Sequence, residues 1–290
     1  MGGTIFHSGY HRFRQLLRAL RHLGARYSGH YRLAGVKGIL RLTVALFLLR
    51  FGRLYSQIGH KRRYCPCCGW HGRNFLPLVA GGYVCFRLLC PVCRWQPRHR
   101  AHRIFYDRCF KMGERQGRLL YFAPEDRILN YLKTIPNLHV QTSSYCDKSG
   151  DYDIDIMNIP FTDNTWDYII CHHVIEHIRD DRKGMCELYR ILKPGGTLIL
   201  SVPIDAQQTE YWGAPNPLRN NHYYNYGPDF VNRIPLEFNI VRYSFVDLFS
   251  KQEFEEMGLL EEYLFVCKKP IQGLSTPSHI VEGEISCSIS

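Results

Sequence analysis

Two short apolar runs flank one helical pattern along residues 151–203. Residues 168–171 (Tyr-Ile-Ile-Cys) form a continuous apolar run, typical of a strand buried on both faces of a parallel sheet. Apolar side chains then recur with helical spacing at Met185, Leu188, Tyr189 and Leu192. A second apolar run occupies 197–202. Because strand, helix and strand follow one another with short connections, the pattern predicts a right-handed βαβ unit in a parallel sheet.

Both ends of the predicted helix carry recognisable signals. Asp180 or Asp181 is suited to cap its N-terminus with a carboxylate. Residues 193–196 (Lys-Pro-Gly-Gly) supply a cation, a helix breaker and two residues that tolerate positive φ. We therefore expect the helix to end there in a tight turn.

Flanking segments extend this sheet. Residues 118–125 predict a strand followed by a turn, and 138–142 predict the next strand, with a helix over 126–133 between them. Two further strands are expected at 238–243 and 261–267. Together these elements predict an α/β fold with a Rossmann-like, mostly parallel sheet and an antiparallel edge.

Charge divides the chain into two parts. Residues 1–106 contain 19 Lys and Arg and no Asp or Glu, whereas the remainder contains 18 basic and 26 acidic residues. This shift indicates differently built segments joined near residue 107. The expected regions are a basic helical arm at 1–63, a four-cysteine module at 64–106, an α/β domain at 107–270 with an insertion over 205–235, and a disordered tail at 271–290.

The basic arm combines helical apolar faces with arginine. One face is formed by Phe13, Leu16, Leu17, Leu20 and Leu23, and residues 38–58 give a second helical candidate. Three interpretations remain open: packing on the main domain, contact with an anionic membrane surface, and nucleic-acid binding. The most apolar run, 42–49, is far shorter than the roughly 20 residues that a membrane span needs.

Four cysteines form two matched pairs. Cys65 and Cys68, then Cys90 and Cys93, give two C-x-x-C spacings separated by 21 residues. Four thiolates in this arrangement suit a closed tetrahedral zinc site, which is structural because no coordination position stays open. Cys67 could replace Cys68, although Cys68 gives both pairs the same spacer.

The sequence between and around these pairs adds two expectations. Apolar residues at 75–79 and 83–86 predict a hairpin around Gly81-Gly82. The chain holds 12 cysteines, but the paired spacing favours metal over a disulfide framework. We therefore expect a reducing compartment, the cytoplasm, with peripheral membrane association through the arm as an option.

The α/β region carries four motifs in a distinctive order. They are Asp155-Ile156-Met157-Asn158-Ile159-Pro160-Phe161, Trp166-Asp167-Tyr168-Ile169-Ile170-Cys171, His172-His173-Val174-Ile175-Glu176-His177-Ile178 and Leu192-Lys193-Pro194-Gly195-Gly196. This series resembles the class I S-adenosylmethionine-dependent methyltransferases, which include the ubiquinone and menaquinone biosynthesis type. The resemblance covers about residues 118–270.

Three other motifs narrow the resemblance. They are Cys90-Pro91-Val92-Cys93, Phe122-Ala123-Pro124-Glu125 and Tyr226-Gly227-Pro228-Asp229-Phe230. With them the chain is similar to a bacterial subgroup in which a four-cysteine ribbon precedes the methyltransferase domain. In that subgroup an Ala-Pro-Glu turn stands where related enzymes have a glycine-rich loop.

The resemblance implies S-adenosylmethionine as cofactor and assigns residues to it. Ala123 and Glu125, with Phe122 just before them, are expected beside its methionine part. Asp155 is expected to accept the adenine amino group, with Ile156 against the ring. Two of these residues have structural alternatives, because Glu125 could favour the N-terminus of the following helix and Asp155 could cap a turn.

Other cofactor contacts are expected at the ends of the second and fourth strands. An acidic residue usually binds the ribose there, but this chain has hydroxyl groups, including Ser143, with Asp147 as the alternative. The resemblance places Cys171, His172 and His173 on the floor near the sulfonium.

Methyl transfer needs a general base when the acceptor is a hydroxyl or a protonated amine. His172, His173 and His222 are the candidates. His222 lies in the aromatic segment 205–226, which is expected to cover the site as a lid.

The expected function is therefore a methyltransferase acting on a small molecule or on a glycan or lipid precursor. One alternative is a zinc-ribbon binding protein whose methyltransferase-like domain is an inactive scaffold. The other is a nucleic-acid methyltransferase that grips its substrate with the ribbon, and its binding would weaken steeply with salt.

Overall fold

A computed structural model describes residues 35–52, 54, 56, 58–80, 83–145, 149–271 and 281–282. The helix predicted around 13–23 lies outside these residues. The chain forms two compact units, one of residues up to Pro97 together with 256–258, and the other of residues 98–255 together with those from Leu259 onward. Within the described residues, no helix combines the length and apolar character needed to cross a membrane.

The first unit contains a helix and two hairpins. Its elements are α1 (35–52), β1 (Arg63–Cys65), β2 (Trp70–Gly72), β3 (Leu76–Ala80) and β4 (Tyr83–Leu89). Strand β1 pairs with β2 and β3 with β4, both antiparallel. The second pairing confirms the hairpin predicted around Gly81-Gly82. Helix α1 corresponds to the second helical candidate of the arm and buries Leu42 and Ala45 against Val84.

The second unit alternates helices and strands. Its helices are α2 (Pro97–Ile104), α3 (Asp126–Leu132), α4 (Asp181–Ile191), α5 (Phe245–Leu248) and α6 (Lys251–Glu256). Its strands are β5 (Gly117–Phe122), β6 (Leu138–Ser144), β7 (Tyr152–Asp153), β8 (Trp166–His172), β9 (Leu192–Ser201), β10 (Glu210–Asn216), β11 (His222–Asn225), β12 (Asn239–Ser244), β13 (Tyr263–Lys268) and β14 (Val281–Glu282). Short helical turns lie at Phe105–Cys109, Met112–Glu114, Ile175–His177, Pro217–Arg219 and Pro228–Arg233.

Eight of these strands form one sheet in the order β14-β12-β13-β9-β8-β5-β6-β7. Neighbours from β7 to β9 are parallel, and β13 runs antiparallel to both β9 and β12. The predicted Rossmann-like sheet with antiparallel pairing at one side is thus confirmed. The chain leaves β5 toward β6 on one side and returns to β8 on the other. Such a switch point places a crevice at the carboxyl ends of these strands.

Helix α4 begins where the sequence predicts but ends differently. The Asp180 carboxylate accepts a hydrogen bond from the backbone N–H of Lys183 (3.0 Å), so Asp180 is the cap. No tight turn separates α4 from β9, because β9 begins at Leu192, opposite Trp166. Pairing then shifts to Tyr168 opposite Thr197, so that residues 193–196 form a bulge in the strand.

The expected tail also differs in part from its prediction. Val281 and Glu282 pair in parallel with Val241 and Arg242 of β12 and extend the sheet. The other residues of the tail beyond Ile271 lie outside the described part of the chain.

Candidate functional site

A cavity of about 550 Å³ lies at the carboxyl ends of β5, β6 and β8. It is lined by five residues with a predicted cofactor role and one predicted catalytic residue. These are Phe122, Ala123, Ser143, Asp155, Ile156 and His173. The sheet topology thus brings together residues from three separate sequence motifs at one site.

Two residues at this edge have left-handed backbone conformations. Ala123 has φ 44° and His173 has φ 52°. Ala123 directly follows β5, which ends at Phe122, and His173 directly follows β8, which ends at His172. For a non-glycine residue this conformation costs roughly 1–2 kcal/mol. The first loop therefore takes a conformation usual for glycine without containing one, and strain of this kind is common at functional sites.

Asp155 and Ser143 are the polar groups expected to contact the cofactor. Oδ1 of Asp155 accepts a hydrogen bond from the backbone N–H of Met157 (2.8 Å), so this carboxylate does cap a turn while it lines the cavity. Ser143 is only 1% exposed, and its Oγ atom has no hydrogen-bond partner among the described residues. A buried hydroxyl in this state favours a polar ligand.

Glu125 is not among the residues that line the cavity, and its contact with the cofactor stays a prediction. Its Oε1 atom is 2.6 Å from Nη2 of Arg98 and 2.9 Å from Nε2 of His99. Burial disfavours its charge, but the hydrogen bond from His99 and the charges of His99 and Arg98 outweigh burial and hold the pKa of Glu125 well below its usual range. These contacts join Glu125 to α2, to which both basic residues belong.

His172 is likewise removed from the cavity, because its side chain points into the protein interior. Its Nε2 is 2.6 Å from the hydroxyl of Tyr106, and its Nδ1 is 3.0 Å from Oγ of Ser201. Burial, together with the nearby His102, lowers the pKa of His172 well below its ordinary value, so the ring is neutral. Cys171 is fully buried and also absent from the lining, so His173 is the one residue of the expected floor that lines the cavity.

His173 lines the cavity as a cation. Its Nδ1 is 3.4 Å from Oε1 of Glu176, and its Nε2 is 3.1 Å from Oε1 of Glu262. Burial opposes the charge, but hydrogen bonds to the two carboxylates outweigh burial and raise the pKa of His173 to about 10. At neutral pH this imidazolium cannot accept a proton.

Sequence reasoning missed Glu262 and its second partner, His102. Glu262 precedes β13, and its Oε1 is 3.1 Å from Nε2 of His102, a fully buried residue of α2. Burial disfavours ionisation of Glu262, but His102 and His173 hold its pKa well below the ordinary value. The basic segment of α2 is therefore paired inside the protein. The sequence carried no sign of this except histidines in a segment that lacks acids.

The insertion predicted as a lid forms the antiparallel hairpin β10–β11. The chain beyond it is fixed to the start of α4, where Arg233 pairs with the buried Asp181 and the hydroxyl of Tyr226 donates to Asp181 Oδ2 (2.9 Å). Tyr223 of the hairpin lines the cavity. The hairpin thus borders the site, although nothing in the sequence indicated that Asp181 would hold it.

The third catalytic candidate, His222, lies at the edge of this hairpin. Its ring packs edge to face on His177, with centroids 4.6 Å apart, and His177 lines the cavity. Burial is the main cause that lowers the pKa of His222 below its ordinary value. Of the three candidate histidines, only His222 is both neutral at pH 7 and adjacent to the lining.

In the first unit, the four paired cysteines converge. Cys65 Sγ lies 3.5 Å from Cys93 Sγ, and Cys68 Sγ lies 3.6 Å from Cys90 Sγ. Sulfurs on a tetrahedral zinc ion with bonds of about 2.3 Å lie slightly under 4 Å apart, so the four sulfurs fit this metal. Cys67 is not part of the cluster.

The two knuckles share one backbone design. Gly69 donates its backbone N–H to the carbonyl of Cys65 (2.9 Å) and Arg94 donates to Cys90 (3.0 Å). Both donors are left-handed, with φ 67° and 63°. Such turns aim two thiols of a C-x-x-C pair at one point, so the cluster can hold a metal ion.

Comparison with known proteins identifies the type of domain that the second unit contains. A family model described as a methyltransferase domain matches residues 139–200, from β6 to β9. The strand order and this match define an α/β domain with the methyltransferase fold. The four-cysteine cluster lies outside this domain, in the first unit.

The similar proteins cover only short parts of this chain or share little sequence with it. The demethylmenaquinone methyltransferase of a Geobacillus species is 42% identical over 43 residues, which are 15% of this chain and 18% of that protein. The Staphylococcus epidermidis protein of that name is 38% identical over 45 residues, 16% and 19% of the two chains. The matched stretch thus spans less than a fifth of either relative.

Among solved structures, an S-adenosylmethionine-dependent methyltransferase from Archaeoglobus fulgidus is 14% identical, with a TM-score of 0.43, over 60% of this chain and 95% of that one. A structure described as a sarcosine dimethylglycine methyltransferase from Galdieria sulphuraria is 12% identical, with a TM-score of 0.43, over 59% and 84%.

Proposed function

We propose that this protein is an S-adenosylmethionine-dependent methyltransferase that acts on a small molecule or on a glycan or lipid precursor. The observation that carries the proposal is the cavity at the carboxyl ends of the first, second and fourth parallel strands, inside the segment that matches a methyltransferase domain. The finer assignment is to the subgroup with a four-cysteine ribbon and an Ala-Pro-Glu first loop.

The residues present fit this cofactor. Ser143 offers a buried hydroxyl without a partner among the described residues, suited to a ribose hydroxyl. Asp155 offers a carboxylate to the adenine amino group, and the buried Ile156 offers an apolar surface to the ring. Phe122 and Ala123 are assigned to the methionine part. When bound, S-adenosylmethionine supplies a methyl group activated by a sulfonium.

The chain's own contribution is to position, desolvate and tune the site. Binding both reactants in one cavity removes most of the entropic cost of bringing them together. The left-handed turns at Ala123 and His173 bring backbone to the cavity wall. The His173 imidazolium, balanced by Glu176 and Glu262, keeps its protons at neutral pH. Among the predicted bases, His222 alone is then able to accept a proton.

Calorimetry with S-adenosylmethionine tests the proposal on the full, zinc-loaded chain. We expect binding, and we expect Asp155→Ala to weaken it about tenfold, the loss of one hydrogen bond to a buried polar group. Asp153→Ala, which removes an exposed carboxylate two residues away, is the matched control. No binding to the folded protein at millimolar cofactor would refute the proposal and leave the scaffold alternative. Equal affinity of wild type and Asp155→Ala would refute the adenine assignment.

A second observation concerns the basic arm and an anionic membrane surface. Helix α1 exposes a continuous apolar stripe, formed by Val36, Leu40, Val44, Phe47 and Phe51. The spacing of three and four residues places the stripe on one helix face.

Basic residues accompany this stripe. Lys37 and Arg50 lie beside it in the helix, and there is no acidic residue before Asp107. An apolar face flanked by cations, with no opposing charge, suits a helix that lies in the interface of an anionic bilayer. The acceptor could then be a lipid precursor reached at that surface.

Vesicle flotation tests the membrane assignment. We expect the full chain to float with phosphatidylglycerol-containing vesicles and much less with phosphatidylcholine alone, and we expect salt to weaken the binding. The double variant Leu40→Gln/Phe47→Gln should sediment, whereas Leu236→Gln, at a similarly exposed leucine of the second unit, should float. Equal flotation of both variants would refute a role for α1.

A further inference from the structure

Three side chains with metal-binding chemistry meet at the rim of the cavity. Glu176, His177 and His222 each offer one ligand atom, and these atoms lie within 4.8 Å of one another. The first two belong to the turn after β8, and the third begins strand β11 of the lid hairpin. Because His177 and Tyr223 line the cavity, this group, termed the rim cluster, borders it.

Glu176 provides an independent indication of a ligand. The residue is only 1% exposed. Its Oε1 atom is 3.4 Å from Nδ1 of His173, while its Oε2 atom is buried without a hydrogen-bond partner among the described residues. A buried polar atom in this state costs about 1–3 kcal/mol. A cation bound between Glu176 and the two histidines would remove this cost.

We infer that the rim cluster binds a divalent transition-metal ion, with zinc the ion that its ligands suit best. Two imidazoles and one carboxylate form the protein ligand set of several catalytic zinc sites, in which a further position stays open. Such bonds are about 2.0–2.2 Å long, so the ligand atoms must draw somewhat closer together on binding. His177 is exposed and His222 half-buried, so both rings have room to adjust.

The contacts of Glu176 leave one of its oxygen atoms for the ion. Nδ1 of His173 faces Oε1 of Glu176 (3.4 Å), and Nε2 of the same ring lies 3.1 Å from Oε1 of Glu262. Oε2 of Glu176 has no such partner among the described residues and is the oxygen assigned to the ion.

The site would tie the lid to the body and select an acceptor. One ligand comes from the hairpin and two from the turn, so the ion holds the hairpin against the rim. An ion with an open position lowers the pKa of a bound hydroxyl. This assignment rests on the proposed function. Under it the bound ion, and not His222 as a base, activates the acceptor, and the acceptor is a hydroxyl compound. The hydroxyl proton leaves to water. The acceptor oxygen then bonds to the methyl carbon while the bond between that carbon and the sulfonium sulfur breaks. The acceptor becomes a methyl ether and the cofactor a thioether.

Cobalt titration of the full chain tests this site separately from the cysteine cluster. The protein is first loaded with one zinc ion per chain, verified by metal analysis, and Co²⁺ is then added. We expect one further ion, seen as visible d–d absorption without the intense near-ultraviolet thiolate charge-transfer band that cysteine ligation gives. Excess Zn²⁺ should displace this cobalt, in line with the order of metal affinities.

Variants decide the assignment. His222→Ala should weaken cobalt binding at least about tenfold, the scale of losses at metal sites. His139→Ala, at an exposed histidine of the same unit, should leave binding unchanged. Glu176→Gln is a second variant and should weaken cobalt binding as well. Because Glu176 is buried, this variant could fail to fold, and His222→Ala then decides the test alone.

Two results would overturn the inference: no additional cobalt in the wild type, or equal cobalt affinity in wild type and His222→Ala. Calorimetry with S-adenosylmethionine on the same samples keeps the proposals apart. Cobalt binding without cofactor binding would refute the methyltransferase proposal and retain the metal site. Cofactor binding without cobalt binding would refute the metal site and retain the methyltransferase proposal.

Discussion

Nε2 of His173 lies 3.1 Å from Oε1 of Glu262, a residue 89 positions later in the chain. This contact joins the end of β8, where the cavity forms, to the residue before the antiparallel strand β13. The same carboxylate oxygen is 3.1 Å from Nε2 of His102 in α2. Two histidines from distant segments thus share one buried carboxylate behind the cavity wall.

The charge of His173 predicts a pH dependence of stability. Its folded pKa of about 10 exceeds the ordinary value of 6.5. Stability from this group is complete below the unfolded pKa and is lost as pH rises toward the folded pKa. Between pH 7 and pH 9 the free energy of unfolding should fall by about 2 kcal/mol.

Urea titrations at both pH values measure this fall. His173→Asn, which tolerates the left-handed backbone, should remove most of it. Because tyrosines and cysteines also titrate at high pH, the difference between wild type and variant is the quantity to compare. Parallel pH profiles of the two proteins would contradict the assigned charge.

Two adjacent aspartates at the start of α4 should differ in their effect on stability. Asp181 is 1% exposed and pairs with Arg233, and loss of one member of a buried pair costs about 3–5 kcal/mol. Asp180 is an exposed helix cap, whose removal costs about 1 kcal/mol. Urea unfolding of Asp181→Ala and Asp180→Ala measures both, and equal losses would argue against the buried pair.

The four-cysteine cluster distinguishes neighbouring cysteines. Cys68→Ser should reduce bound zinc and lower the melting temperature of the first unit, because a structural zinc site contributes directly to folding. Cys67→Ser should keep about one zinc per chain, since Cys67 lies outside the cluster. Metal analysis of the purified variants provides the measurement. Loss of zinc in Cys67→Ser, with zinc retained in Cys68→Ser, would make Cys67 the ligand instead of Cys68.

The left-handed turn after β5 predicts an unusual response to glycine. At Ala123, with φ 44°, glycine relieves roughly 1–2 kcal/mol of strain and loses roughly 0.4–1 kcal/mol through the unfolded chain, so Ala123→Gly should keep or slightly raise stability. Ala101→Gly, inside helix α2, should cost about 1 kcal/mol or more. Thermal unfolding compares the two, and an equal loss at both sites would contradict the strained turn.

Much of the fold was predictable because its signals are local. The apolar run at 168–171, the helix over α4 and the spacing of the four cysteines all reflect contacts or periodicities within short segments. The bulge at 193–196 was not predictable in this way. Its glycines suit a helix end as well as a strand bulge, and only the pairing of Trp166 with Leu192 decides between them.

For the candidate site, the sequence by itself determined which motifs meet at the carboxyl edge, since strand order follows from the βαβ pattern. It did not determine which side chains face the cavity. Glu125 and His172 follow the motif but turn inward, because Arg98, His99 and Tyr106 offer them buried partners. Only the tertiary structure shows these pairings, because charge and hydrogen-bond complementarity between segments far apart in the chain leaves no periodic pattern in either segment.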